Sequence, residues 1–182
     1  MMKFKLRSFL YLCLLTMIPF AFADDQYQFE NWDGAKLPVF VAKPNKINKL
    51  TRLVVVMHGR KRNAEEYRDQ WSDSAKDLNL LILVPEFSEQ NFPQVWGFNY
   101  GNLKTVSLEP IGKSLHAFSA IEPLANGALK RFRLKSDNWG IYGHGAGAHF
   151  VHRYVLHHPE ASHTLAIAAN LGWYLSMTDQ EW

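Results

Sequence analysis

Asn138-Trp-Gly-Ile-Tyr-Gly-His-Gly-Ala-Gly-Ala-His-Phe-Val-His152 is the stretch that decides the fold of this chain. Asn138 to Tyr142 is short, apolar and aromatic, which predicts a buried strand. Gly143, Gly145 and Gly147 crowd a turn after it. Ala146 to His158 then predicts a helix, stopped by Pro159. Ordered this way, strand, glycine turn and helix form the basic unit of an α/β fold.

The same grammar runs outward along the chain. Tyr27 to Trp32 and Leu37 to Ala42 flank Asp33-Gly34 and predict a hairpin. Leu53-Val-Val-Val-Met57 is a continuous apolar run ending in His58-Gly59, the profile of a strand buried on both faces. Arg60 to Asn63 is a cationic loop. Ala64 to Leu78 predicts a helix with Tyr67, Trp71, Ala75 and Leu78 on one face. Leu80-Leu-Ile-Leu-Val84 predicts a second buried strand, stopped by Pro85. Glu86 to Leu108 has no period and predicts an ordered loop over one end of the sheet. Ile111 to Phe132 is helical in pattern, with Pro123 expected to kink or break it. Thr164 to Ala169 is a fourth apolar run. The whole predicts an α/β fold with a mostly parallel sheet and helices on both faces. Its ligands belong at the carboxyl ends of the strands, at His58-Gly59, Pro85-Glu86, Gly143 to Gly147 and Asn170.

The N-terminus changes the charge count. Lys3, Lys5 and Arg7 precede an apolar run from Phe9 to Phe22, and Ala21-Phe-Ala23 supplies small residues for cleavage. Residues 1–23 are expected to be a secretory signal peptide, with one domain from 24 to 182 and a secreted or periplasmic location. The apolar run is shorter than the ~20 residues of a membrane span, so no membrane attachment is expected after cleavage. The segment holds three of the 20 basic residues and none of the 17 acidic ones, leaving a balanced chain. That balance gives no reason to expect a nucleic-acid partner. Cys13, the single cysteine, leaves with the segment, which excludes thiol catalysis and disulfides.

The turn itself has three readings. Gly143-His-Gly145-Ala-Gly147-Ala148 formally satisfies the dinucleotide pattern G-x-G-x-x-A. That pattern needs an acidic residue about 20 positions on, for the ribose hydroxyls. Here the next strand offers only Asn170, and no acid comes before Asp179, so no cofactor is expected. The second reading is the nucleophile elbow, G-x-S-x-G, with Gly143 and Gly147 as its outer glycines. Gly145 then stands at the nucleophile position, which keeps the turn buildable and deletes the hydroxyl. The third is an ordinary glycine-rich connection.

The surrounding segments favour the elbow. Met57-His-Gly59, Arg62-Asn-Ala64 with Tyr67 and Trp71, and Val84-Pro-Glu-Phe87 come first. Tyr142-Gly-His-x-Ala-Gly-Ala148, Phe150-Val-His-Arg153 and Ala168-Ala-Asn-x-Gly-Trp-Tyr174 follow in order. Together they resemble the α/β-hydrolases, and especially secreted esterases similar to polyhydroxybutyrate depolymerases. The resemblance implies hydrolysis of a small or polymeric carboxylic ester by a serine at position 145. It implies oxyanion N–H donors at Ala146 and at Arg60 or Lys61. Arg60-Lys61 departs from the small residues usual after His-Gly. The family's acid and histidine come later in the chain, after further strands. With the chain ending at Trp182, the resemblance leads to the expectation that the fold is truncated and that the acid and histidine are missing. Asp179 is the first acid in that region. Three outcomes stay open: an inactive esterase, a non-catalytic ligand-binding pseudoenzyme, or a truncated or mis-called gene product. In each, the strand Thr164 to Ala169 is expected to form an exposed, aggregation-prone edge.

The remaining candidates carry milder expectations. His58 is expected to order its loop by hydrogen bonding and to border the substrate side, with His144 beside the elbow and Trp96 in the long loop as further substrate contacts. Phe98 and Tyr100 accompany Trp96. His149 and His152 lie three apart on a helix without a third ligand, so no metal is expected.

Overall fold

A computed structural model describes residues 25–172; the expected signal peptide, Trp173, Tyr174 and Asp179 lie outside the described residues. Six strands form one sheet. They are β1 (Gln26–Phe29), β2 (Leu37–Ala42), β3 (Arg52–Met57), β4 (Leu80–Pro85), β5 (Trp139–His144) and β6 (Leu165–Ala169). Their order across the sheet is β1-β2-β4-β3-β5-β6. The hairpin strands are antiparallel, β2 joins β4 antiparallel, and every later pairing is parallel. Parallel neighbours need crossovers. Helix α1 (Ala64–Asp77) links β3 to β4, the segment containing α2 (Gln94–Gly97) and α3 (Ile121–Arg131) links β4 to β5, and α4 (Ala146–His157) links β5 to β6.

The continuous apolar runs are explained by what lies on each face. Leu53, Val55 and Met57 of β3, with Leu81 and Leu83 of β4, point into a core completed by α3, α4 and the long loop. Val56, Ile82 and Val84 point the other way, against Phe40, Ala64 and Ala75, with Tyr67 and Trp71 packed alongside. A period of two that finds helices on both faces produces an unbroken hydrophobic string.

Two local expectations are corrected. The pattern from Ile111 does not make one kinked helix: two 3-10 turns at Lys113–Leu115 and Ala117–Ala120 precede α3, which starts at Ile121. Pro123 therefore falls in the first helical turn, where a missing N–H costs nothing because those amides have no intrahelical acceptor. Leu78 does not pack with Tyr67 and Trp71. It is the C-cap of α1 and is exposed.

The edge strand matches its expectation. Among the described residues β6 pairs with β5 alone, and its Leu165 and Ile167 are 57% and 42% exposed. Leu-Ala-Ile-Ala-Ala carries no charge or proline to discourage pairing with another chain. Replacing Leu165 and Ile167 together by lysine should reduce concentration-dependent association in light scattering. The melting temperature should change by only a few degrees, because little buried area is lost.

Candidate active site

The end of β5 and the start of α4 meet at Gly145, whose backbone has φ 56° and ψ −113°. A side chain on this backbone is strained, whereas glycine adopts it freely. The close contacts lie at the flanking glycines. A Cβ on Gly147 would come 2.3 Å from the Met57 carbonyl oxygen, and one on Gly143 would come 2.2 Å from the Gly147 carbonyl oxygen. Strand β5, helix α4 and the end of β3 are thus packed backbone to backbone. At Gly145 the position of a Cβ meets nothing within 4 Å. The turn has room for a side chain that the sequence does not supply.

Hydrogen bonds hold the turn in place. Gly145 N–H donates to the Ala169 carbonyl at the end of β6 (3.1 Å), and its own carbonyl accepts from His149 N–H (3.1 Å). His144 is exposed, and its Nε2 accepts from the Asn170 side-chain amide at 2.8 Å. Asn170 holds its own position with a positive φ of 54°. His144 is therefore paired with an amide and not with a carboxylate. Ala146 opens α4, so its N–H is one of the orphaned first-turn donors.

The turn after β3 lies beside this one, because Gly147 rests on the Met57 and His58 carbonyls. Arg60 and Lys61 are exposed and occupy its centre, closed by Arg62 N–H donating to the Gly59 carbonyl at 3.1 Å. Among the described residues, the Arg60 and Ala146 amides donate to no other group. The two loops expected to supply oxyanion donors are thus neighbours.

His58 is not a substrate contact. It is 0% exposed, and both ring nitrogens are used. Its Nδ1 donates to the Gly59 carbonyl (3.0 Å) and its Nε2 accepts from Phe87 N–H (3.0 Å), which fixes the neutral Nδ1–H tautomer. Phe98 stacks on the ring at 4.3 Å. Burial holds the His58 pKa down at about 3, from an ordinary 6.5. The residue joins the β3 turn to the segment after β4 and does not titrate in neutral solution.

Trp96 is not at the elbow either. It is 47% exposed, stands 5.0 Å from the Tyr100 ring, and lines an open groove of about 240 Å³ with Pro93, Gln94, Asn102, Thr105 and Val106. None of His144, Gly145 and Ala146 lines that groove. Glu86 directly follows β4. Burial and then Glu65 of α1 raise its carboxyl pKa. Among the described residues no three His, Cys, Asp or Glu side chains gather to hold a metal ion.

The residue that sequence reading missed is Arg62. Its guanidinium donates to Glu89 (3.1 Å), the Phe92 carbonyl (2.9 Å) and the Gln94 carbonyl (2.8 Å), and its Cζ lies 4.4 Å over the Phe98 ring. It clamps the long loop against the β3 turn. Its position directly after an exposed Arg60-Lys61 pair made it look like one more solvated cation.

Two measurements check this account. Gly147→Ala should cost about 3 kcal/mol in urea unfolding, since the backbone must move, while Gly145→Ala should cost only the left-handed strain of about 1–2 kcal/mol. The second is acid stability. The unfolded chain binds the His58 proton first, so stability is complete above pH 6.5 and falls as pH drops toward 3. The slope should reach at least about 1.4 kcal/mol per pH unit. The lowered pKa values of His149, His152, His157 and His158, each mainly from burial, act in the same direction.

Comparison with known proteins places this geometry. No protein-family model and no curated protein sequence matches the chain. Solved structures do. Poly(aspartic acid) hydrolase-1 from Sphingomonas sp. KT-1 superposes with a TM-score of 0.78 at 38% identity, over 82% of this chain and 56% of that one. The poly(3-hydroxybutyrate) depolymerase LpqC from Bordetella parapertussis gives 0.77 at 27% identity, over 86% of this chain and 54% of that one. An acetyl xylan esterase from Aspergillus awamori shares the fold at 13% identity, with a TM-score of 0.58 over 85% of this chain and 56% of that one. The chain spans about half the length of these proteins. The shared sheet and the sequence likeness give the family: this chain is a polyhydroxybutyrate-depolymerase-like member of the α/β-hydrolase superfamily.

Proposed function

We propose that this protein is an exported relative of serine esterases that retains the carboxyl-end loops of the fold but does not hydrolyse esters. The observation carrying the proposal is Gly145. Acyl transfer through an elbow requires a nucleophilic oxygen on the central residue, poised beside a general base. Here that residue has no side chain, and the adjacent imidazole of His144 is engaged by the Asn170 amide. What such a turn retains is electrostatic: backbone N–H groups at Ala146 and in the Arg60 turn, aimed where an oxyanion would form in an active relative. Without the nucleophile these donors bind a carbonyl and do not turn it over.

The proposed ligand class is a polymeric or small carboxylic ester. It follows from the poly(3-hydroxybutyrate) depolymerase named for one solved relative and from the retained strand-end loops, whereas the poly(aspartic acid) named for the other is a polyamide. The proposal of export rests on residues 1–23. A maintained binding role is a second reading, favoured by one feature: the outer glycines and the Gly145 hydrogen bond keep the turn's shape although its chemistry is gone.

Purified protein should not turn over p-nitrophenyl esters or 3-hydroxybutyrate oligomers, and should not label with a fluorophosphonate probe. Stoichiometric labelling of any serine would overturn the proposal. Saturable binding of 3-hydroxybutyrate oligomers without turnover would support the binding role.

A further inference from the structure

Arg153 is buried and the Arg62 side chain nearly so, and among the described residues only Arg62 of the two has an anion. Arg62 is paired with Glu89 and bonded to two carbonyls. Arg153, on α4, is 4% exposed. Its Nη1 donates to the His149 carbonyl (3.2 Å) and touches His149 Nδ1 (3.3 Å), and its Cζ lies 4.4 Å over the Tyr100 ring. No carboxylate pairs with it among the described residues. Burial lowers its pKa, and the one opposing influence is Tyr100.

Even the His149 contact is incomplete. His149 Nε2 is approached by Gly172 N–H at 3.3 Å, while Nδ1 is approached by Arg153. A neutral imidazole carries one proton and accepts on one nitrogen only, so one of these contacts is not a full hydrogen bond. Arg153 is therefore held through Nη1 and the Tyr100 face. Among the described residues, its Nε and Nη2 have no hydrogen-bond partner. Those two N–H groups form the side-on edge of the guanidinium, the pair of parallel donors that matches the two oxygens of a carboxylate. A buried charge without a counter-charge is costly, and the structure has ordered His149 and Tyr100 around this one.

We propose that Arg153 is the anchor of a carboxylate-binding subsite, in which an organic carboxylate accepts two hydrogen bonds from the Nε and Nη2 edge while Tyr100 and His149 fix the guanidinium plane. The subsite is separate from the elbow and does not depend on whether the elbow is active. The Tyr100 ring that supports it also meets Trp96, a wall of the open groove, at a tilt with 5.0 Å between ring centres, so a carboxylate at Arg153 lies one ring away from that groove.

The test is a titration of the wild-type protein with acetate and with succinate at low ionic strength, following the Arg153 Nε–H resonance by ¹⁵N NMR. The melting temperature is recorded in parallel. Saturable movement of that resonance and a rise in melting temperature are expected. Arg153→Lys keeps the charge and loses the fork, and should weaken binding by about tenfold, the size of one charge-assisted hydrogen bond. Arg153→Gln should abolish the response. The wild-type resonance and the lysine variant decide the matter even where the glutamine variant does not fold. A response absent in wild type, unchanged in Arg153→Gln, or equalled by chloride or inorganic phosphate would overturn the assignment.

Discussion

The backbone contact between Gly147 and the carbonyls at the end of β3 is the constraint on which the rest depends. It lets α4 leave β5 at close range and lie against the neighbouring strand. Any Cβ there would separate helix from sheet, and both flanking glycines are needed to avoid it. The position between them is under no such pressure. Gly145 faces open space, so the fold demands small residues at 143 and 147 and is indifferent at 145 beyond its backbone angles. That asymmetry lets the residue at 145 change while the turn survives.

The second organising contact is the Phe98 ring, flanked by the His58 imidazole at 4.3 Å and the Arg62 guanidinium at 4.4 Å. Phe87 and Phe150 close around the same ring, at 5.7 and 5.3 Å, so strand ends, long loop and α4 meet on one aromatic residue. Hydrogen bonds then set the geometry that packing stabilises. His58 spans from Gly59 to Phe87, and Arg62 spans to Phe92 and Gln94. A long irregular segment is ordered this way, through polar side chains that satisfy its backbone groups.

Those polar residues divide by how completely they are satisfied. His58 has a donor, an acceptor and a stacked ring, and it is structural despite its place beside a strand-end loop. Arg62 has a carboxylate and two carbonyls, with its Nη1 left buried and without a partner, and it is structural too. Arg153 has a carbonyl, a shared imidazole contact and a ring face, and among the described residues no carboxylate meets its charge. Residual polarity of that kind, more than the presence of a histidine or arginine, marks a place where a ligand belongs.

The sequence by itself determined the alternation of strands and helices, and the glycine turn with no side chain at 145. These are local: a run of apolar residues, a glycine spacing and a helix stop are written within a few positions of one another. It also showed that Thr164 to Ala169 would make a hydrophobic edge, because nothing polar interrupts that strand. Only the tertiary structure decided what the polar residues do. His58 and Trp96 looked alike as site candidates, yet one is sealed between two loops and the other lines a groove away from the elbow. Arg62 and Arg153 are separated by neighbours that no spacing rule connects, Glu89 in one case and Tyr100 in the other. Pro123 looked like a break in a helix until the preceding 3-10 turns moved the helix start to meet it. Partnership across tens of residues is settled by packing, and the linear pattern carries no record of it.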